Sequence, residues 1–238
     1  MDVKEKEAEI IVSNNETALV QPQQYIPEKT DSLLIGKIFK RLIDILGGIV
    51  GTFVLIPLTI GIAIANLICK DNGPIFYSQY RIGKNGKLFK MYKYRSMVVG
   101  ADEKLKKYLE ENEEARKEYK KYKKLKHDPR VTKVGEFIRK TSLDEFPQFI
   151  NVLKGDMSLV GPRPYLEREK EDMNGYYKYI TTFKPGLTGL WQISGRSDVD
   201  FVTRIDLDMQ YYYNHSLKGD IKILFKTAMK LVKREGAL

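Results

Sequence analysis

An uncharged apolar run over residues 45–69 constrains the fold of this chain more than any other feature. As one straight helix it would be about 37 Å long at ~1.5 Å per residue, enough to cross a hydrocarbon core of about 30 Å. Pro57 stands at its centre, and a proline removes a helix hydrogen bond and kinks the axis. The run therefore predicts a spanning helix, a helix that enters one leaflet, bends at Pro57 and returns, or a buried core helix.

Basic residues on both flanks of the apolar run help to distinguish a spanning helix from a re-entrant one. A spanning helix keeps its basic flank on the cytoplasmic side, whereas a re-entrant helix has both flanks there. The two basic flanks therefore fit the re-entrant path, and these residues alone leave the spanning helix equally open. The residues concerned are Lys37, Lys40 and Arg41 before the run, and Lys70, Arg81, Lys84, Lys87, Lys90, Lys93 and Arg95 after it.

Composition excludes several kinds of site. One cysteine, Cys69, permits no intrachain disulfide and no multi-cysteine metal site, and two histidines exclude a His-rich metal centre. The net charge of +10 suggests an anionic partner, which could be phosphate groups, anionic lipid or nucleic acid. Residues 1–31 differ from the rest because they are acidic and aperiodic, so we expect a flexible N-terminal tail there.

The remainder predicts a mixed fold. Two aromatic-rich runs around Asn85-Gly86 predict a β-hairpin. Helical patterns cover residues 101–126 and 131–153, the second interrupted near Thr141-Ser142, while glycines and prolines over 155–164 and 185–195 predict loops.

Two final helices are expected over 199–213 and 220–234. The last is basic and amphipathic, a pattern that suits either a membrane surface or packing on the core. The expected fold class is α+β and mostly helical, with an N-terminal re-entrant membrane helix, a small β-hairpin, amphipathic surface helices and a compact cytoplasmic catalytic domain.

Asp144-Glu145 is the candidate catalytic pair, since two adjacent carboxylates lie among basic residues. The structural alternative is a capping box between Ser142 and Glu145. Pro147 weakens that alternative, because it would interrupt a helix that begins at Ser142. No P-loop, GxGxxG or G-x-S-x-G pattern supports a different kind of active site.

Three further patterns have both a chemical and a structural interpretation. Arg163 lies between two prolines, and Arg196 follows a glycine; a rigidly held arginine can clamp a phosphate, but both could be structural turns. Asp206 and Asp208 have the D-x-D spacing of metal-dependent glycosyltransferases, although the pattern is short and a solvated helix face is the better explanation.

Several long strings, in order, resemble the bacterial sugar transferases that act as monotopic polyprenyl-phosphate phosphoglycosyl transferases. The resemblance covers roughly residues 36–235, without the four transmembrane helices of larger relatives and without a match for residues 1–31. Its bend carries Ile56-Pro57 where the family commonly has Ser-Pro. The strings are KRLID at 40–44, GPIFYSQ at 73–79, KYRSM at 93–97, Arg139 with SLDE at 142–145, NVLKGDMSLVGPRP at 151–164, KPGLTGLWQISGR at 184–196 and the segment 208–213.

The resemblance implies a reaction. A sugar-1-phosphate moves from a UDP-sugar to undecaprenyl phosphate with release of UMP, as the first membrane step of surface glycan assembly. Asp144 would be the nucleophile and a Mg²⁺ ligand, and Glu145 would assist. Arg139, Arg163 and Arg196 would contact phosphate and nucleotide, and Lys93 and Arg95 the lipid phosphate.

The resemblance also implies a domain plan and a location. The plan is a tail at 1–31, a re-entrant helix-turn-helix at 32–72 and a cytoplasmic transferase domain at 73–238. The protein would sit on the cytoplasmic face of the plasma or inner membrane, with the lipid bilayer and no nucleic acid as partner. The sugar, the glycan pathway and the oligomeric state stay open.

Two other functions fit parts of the sequence. One is a D-x-D glycosyltransferase that releases UDP, and the other is a non-catalytic, membrane-anchored basic module that binds anionic lipid or nucleic acid. The nucleotide product separates the first from a phosphoglycosyl transferase. Salt-sensitive binding without turnover of a UDP-sugar would mark the second.

Overall fold

A computed structural model describes residues 34–122, 125–195 and 199–233. The predicted N-terminal tail and Arg196 lie outside these residues. The helices and strands are α1 (Leu34–Ile68), β1 (Phe76–Ile82), β2 (Leu88–Tyr94), α2 (Ala101–Glu111), α3 (Glu113–Tyr122), α4 (Lys133–Lys140), α5 (Gln148–Lys154), β3 (Ser158–Val160), α6 (Tyr177–Ile180), β4 (Gly186–Thr188), α7 (Leu190–Ser194), α8 (Phe201–Asn214) and α9 (Leu217–Lys233).

Helix α1 is the longest element, with 35 residues and Pro57 inside it. Its length and composition are sufficient to cross a membrane. One face packs on the rest of the molecule through residues that recur every three or four positions, and most of the large apolar residues on the other face are exposed. The inward face includes Asp44, Leu55, Ile62 and Asn66, which are buried.

Glycines allow α1 to approach the domain closely. A Cβ atom on Gly51 would lie 2.2 Å from the Phe149 ring, and one on Gly48 would lie 2.7 Å from Leu153. Polar bonds fix the same segment: Arg41 donates to the carbonyl oxygens of Val152 and Leu153 at the end of α5, at 2.8 and 2.9 Å. The helix therefore belongs to the domain's packing.

The hairpin prediction is confirmed. Strands β1 and β2 pair antiparallel, with Phe76 opposite Tyr94 and Ile82 opposite Leu88. Asn85 and Gly86 have φ angles of 56° and 78°, the left-handed conformations that this turn sequence favours.

A second small sheet was not predicted. Strands β3 and β4 pair in parallel within the two segments where the sequence indicated only loops. The interruption near Thr141-Ser142 is confirmed, because α4 ends at Lys140 and a 3₁₀ turn, Leu143–Glu145, precedes α5.

The main core lies between the hairpin, α5, the β3–β4 sheet and the last two helices, with Met91, Val152, Val160, Tyr211 and Ile223 in its centre. Both predicted final helices, α8 and α9, are present. Strand β3 is followed by residues 161–164, and strand β4 is followed by Gly189 and the start of α7. Because the two strands pair in parallel, these two segments lie close together.

Candidate active site

The acid pair lies in the 3₁₀ turn after α4. The Asp144 side chain is only 12% exposed and that of Glu145 is 37% exposed. Ser142 has a left-handed φ of 57° in place of the extended geometry of a helix cap, and its side chain makes no capping hydrogen bond. The turn therefore does not have the geometry of the capping-box alternative.

Lys93, on β2, reaches both carboxylates. Its Nζ atom lies 2.9 Å from Glu145 Oε1 and 3.9 Å from Asp144 Oδ2. Arg139 is also near, with its Nε donating to Ser96 Oγ at 3.0 Å. The structure thus brings together four residues that the sequence proposed: Lys93, Arg139, Asp144 and Glu145.

The pKa of Asp144 is raised to about 6. Burial, which disfavours the charged carboxylate, is the largest cause; the charge of Glu145 acts in the same direction, while Lys93 and Arg139 oppose both. At neutral pH the group is largely ionised yet poorly solvated. Such a carboxylate is suited to nucleophilic attack, because little water must leave it first.

A cleft of about 360 Å³ extends from Glu145 and Lys93 to the loop after β3, and Asp144 lies behind this end of it, next to Lys93. Arg163 projects into it and lies 5.4 Å from the centre of the Trp191 ring. Cations at both ends suit a substrate with a diphosphate. The lining residues include Arg81, Lys93, Glu145, Gln148, Arg163 and Trp191.

Arg81 and Gln148 were not proposed as site residues from the sequence. Burial and the charge of Arg163 lower the pKa of Arg81 to about 10, and its Nη1 donates to the carbonyl oxygen of Pro164. Gln148 is 2% exposed at the wall of the cleft. The signal in the sequence was weak: Arg81 follows a run of strand residues, and Gln148 begins an ordinary helix.

The comparison with known proteins identifies the family. Residues 35–234 match the family model described as bacterial sugar transferase. The chain belongs to this family. It is 46% identical over 226 residues to the undecaprenyl-phosphate galactose phosphotransferase of Salmonella typhimurium, and 44% identical over 204 residues to the exopolysaccharide production protein ExoY of Rhizobium meliloti.

The lengths of these relatives differ. The Salmonella match covers 95% of this chain but 46% of the Salmonella protein, and the ExoY match covers 85% of this chain and 90% of ExoY. The chain thus spans less than half of the first of these relatives. The Salmonella match leaves out only 12 of the 238 residues, so it reaches into residues 1–31, where the sequence indicated no family match.

Two features singled out from the sequence lie apart from this cleft or from each other. Arg95 does not line the cleft: its guanidinium binds Asp71 and the carbonyl oxygens of Pro74 and Met97. The D-x-D pair diverges, since Asp206 is exposed and Asp208 is fully buried on another side of α8. These two carboxylates therefore cannot share one metal ion without rearrangement.

The predicted magnesium site is compatible with the acid pair. The described part of the chain has no cluster of three or more His, Cys, Asp or Glu side chains that could hold a metal alone. Magnesium in enzymes of phosphate chemistry commonly takes one or two carboxylates and completes its shell with substrate phosphates and water. Asp144 and Glu145 offer such a donor set.

Proposed function

We propose that this sugar transferase moves a sugar-1-phosphate from a UDP-sugar to undecaprenyl phosphate and releases UMP, through a covalent intermediate on Asp144. The observation that carries the proposal is the buried carboxylate of Asp144 beside Glu145, which lines one end of a cationic cleft. The activities for which relatives are named support it, including that of the UDP-glucose:undecaprenyl-phosphate glucose-1-phosphate transferase of Escherichia coli, 38% identical over 205 residues. The product would begin assembly of a surface glycan.

The first step forms a bond between Asp144 Oδ and the phosphorus that bears the sugar. The bond from that phosphorus to the bridging oxygen breaks, and UMP leaves with the electron pair. In the second step an oxygen of undecaprenyl phosphate attacks the same phosphorus and Asp144 leaves as a carboxylate. Neither step requires a proton, because the leaving groups are a phosphate and a carboxylate.

The chain's own cations offset the charge of these steps. Lys93 lies beside both carboxylates, and Arg139 adds a positive charge near Asp144. Arg163 and Arg81 line the cleft and would contact the nucleotide's phosphates. A Mg²⁺ held by Asp144 and Glu145 would supply further neutralisation of the diphosphate. Arg196 stays a predicted nucleotide contact.

We further propose that α1 is re-entrant and the protein monotopic, on the cytoplasmic face of the membrane. Segments on both sides of Pro57 contact the same domain: Arg41 bonds to the end of α5, and Thr59 bonds to Tyr94 of β2 at 2.7 Å. After the helix, Asp71 binds Arg95 at 2.7 Å. A spanning α1 would draw these contacts into the hydrocarbon, so they favour a helix with both ends on one side.

Helix α9 extends the proposed membrane face. Ile221, Phe225 and Met229 are exposed along it, and lysines alternate with them. The helix is joined to α1 because Lys40 forms an ion pair with Asp220. An exposed apolar stripe with flanking lysines suits the headgroup layer of an anionic bilayer.

Intact-protein mass spectrometry tests the covalent step. The detergent-purified enzyme is incubated with UDP-galactose or UDP-glucose and Mg²⁺, without lipid acceptor. The wild type should gain one hexose-phosphate mass on the peptide that holds Asp144, and UMP should appear. Asp144→Asn should gain none, whereas the matched control Asp206→Asn, on the exposed side of α8, should behave as the wild type does.

The products also separate the alternatives. Release of UDP would indicate a glycosyltransferase, and absence of turnover with any UDP-sugar would favour a binding module. Ordered release of UMP before the lipid reacts should give ping-pong kinetics. Activity retained in Asp144→Asn would refute the covalent mechanism.

A further inference from the structure

We propose that Asp208 is the positioning residue for Arg163, holding the backbone of the arginine loop so that its guanidinium meets the substrate's diphosphate. The loop is defined as residues 161–164. The proposal rests on the proposed function for the identity of the ligand. It also reassigns Asp208, whose D-x-D spacing suggested a metal.

The arginine loop has very few main-chain donors. Pro162 and Pro164 lack an N–H group, so the only amide between Gly161 and Tyr165 is that of Arg163. This amide donates to Asp208 Oδ2 at 3.0 Å. A carboxylate on α8, 45 residues further along the chain, thus accepts the one amide hydrogen available there.

The same oxygen has a second fixed partner. The Tyr165 hydroxyl donates to Asp208 Oδ2 at 2.8 Å, and Tyr165 is itself buried. Asp208 is 0% exposed, and no described residue forms a hydrogen bond with its other oxygen. Burying a carboxylate costs free energy unless the group is well paired. We therefore infer that Asp208 is buried beneath this loop because it holds the loop in position.

The rest of the loop is fixed by contacts that complement this bond. Gly186 N donates to the carbonyl oxygen of Pro162 at 2.8 Å, and Arg81 Nη1 donates to that of Pro164 at 3.1 Å. These bonds restrain the two prolines. Asp208 restrains the residue between them, whose side chain enters the cleft.

The Arg163 side chain has only loose restraints of its own. Within the described residues, its Nη2 lies 4.0 Å from Glu169 Oε1, its Cζ lies 5.4 Å from the Trp191 ring centre, and its buried Nε has no hydrogen-bond partner. The direction of the guanidinium therefore depends on the backbone from which it projects. Loss of the Asp208 acceptor should move Arg163 and weaken its contact with the nucleotide's phosphates.

The test compares Asp208→Asn, which keeps an oxygen that can accept both hydrogen bonds, with Asp208→Leu, which removes it. The leucine variant should raise the KM for the UDP-sugar about tenfold or more and leave that for undecaprenyl phosphate within about threefold. The asparagine variant should stay within about threefold for both. Asp206→Asn is the matched control on the same helix and should have no effect.

A double-mutant cycle separates positioning from general stability. If Asp208 acts through Arg163, adding Asp208→Leu to Arg163→Ala should lower kcat/KM for the UDP-sugar by less than about twofold. The proposal would be overturned if Asp208→Leu and Arg163→Ala lowered kcat/KM independently of each other. It would also be overturned if Asp208→Leu impaired the use of the UDP-sugar and of undecaprenyl phosphate equally. If Asp208→Leu does not fold, Tyr165→Phe replaces it in the double-mutant cycle with Arg163→Ala. This variant is milder, because it removes only the hydrogen bond from the Tyr165 hydroxyl to Asp208 Oδ2.

Fluorescence supplies a readout that does not depend on turnover. Trp191 is the only tryptophan and lies 5.4 Å from the Arg163 guanidinium and 5.8 Å from that of Arg204, so its emission responds to movement of either group, and the Arg163→Ala variant identifies the contribution of Arg163. Asp208→Leu should change that emission as Arg163→Ala does and should weaken UMP binding in a fluorescence titration. Unchanged emission and UMP affinity would contradict the positioning role, while an inactive wild type would contradict only the proposed function.

Discussion

At the scale of single residues, the carboxylate of Asp144 lies where burial disfavours its charged form. Its pKa of about 6 exceeds the unfolded value of 3.8, so between these pH values the folded protein binds the proton more tightly. Stability must therefore fall as pH rises from about 4 to about 6 and stay lower above that. Nucleophilic attack by Asp144 requires the ionised carboxylate, which is the form that lowers the stability of the fold.

This cost predicts that Asp144→Asn is more stable than the wild type at pH 8, by about 1 to 3 kcal/mol, since one pKa unit corresponds to about 1.4 kcal/mol. The gain should shrink as the pH falls from 6 towards 4. Thermal unfolding in detergent at several pH values measures it. The control is Glu110→Gln, an exposed change on α2, which should leave the unfolding temperature unchanged within experimental error. A loss of stability in Asp144→Asn at pH 8 would contradict the proposed cost of burying this carboxylate.

The sequence predicted the residues of this site unevenly, for a geometric reason. Lys93 and Arg95 are two apart, so a continuing strand would place them on one face. Strand β2 ends at Tyr94, however, and Arg95 turns to Pro74 and Asp71. Arg81 was overlooked because its approach to the cleft depends on a contact with Pro164, 83 residues away.

At the scale of elements, the contact between α1 and α5 depends on glycine. A Cβ atom on Gly51 would lie 2.2 Å from the Phe149 ring, whereas nothing lies within 4 Å of one on Gly61 in the same helix. We predict that Gly51→Ala lowers stability by about 1 to 3 kcal/mol through overpacking. Gly61→Ala is the matched control, expected to be neutral or stabilising because alanine favours helix.

Thermal unfolding of the two variants in detergent checks this prediction. The sign of the difference matters more than its size, since both changes add one methyl group to a glycine of α1. Equal stability of Gly51→Ala and Gly61→Ala would mean that α1 does not pack on α5 as described.

Local signals explain which elements could be predicted. The hairpin was predictable because Asn85 and Gly86 favour the backbone angles that its turn requires. Strands β3 and β4 have three residues each and pair across 28 positions of sequence, Ser158 with Gly186. Three-residue strands show too little alternation to be recognised, and nothing local indicates a parallel partner so far away.

At the scale of the whole molecule, deleting the N-terminal segment tests whether it is needed for activity. Residues 1–30 are acidic and precede the family match, which begins at residue 35. We predict that removing them leaves UMP release within a few-fold of the full chain, measured with UDP-galactose or UDP-glucose. A hundredfold loss would show that this segment, part of which aligns with the Salmonella relative, takes part in activity.

The path of α1 decides how the whole molecule meets the membrane. If it is re-entrant, both of its ends share one side with the catalytic domain, as the contacts of Arg41 and Asp71 with that domain require. Single cysteines placed at Ser32 and at Asn72, in a Cys69→Ser background, should then react on the same side in cells. Val99→Cys, exposed in the domain, marks the cytoplasmic side as reference.

An impermeant maleimide, applied before and after the cells are opened, measures the labelling. We expect all three positions to be protected in intact cells and to react once the membrane is breached. Labelling of Ser32→Cys alone in intact cells would mean that α1 spans the bilayer. In that case the domain would have to release either Arg41 from α5 or Arg95 from Asp71, because one domain cannot hold both ends of a helix across a ~30 Å hydrocarbon core.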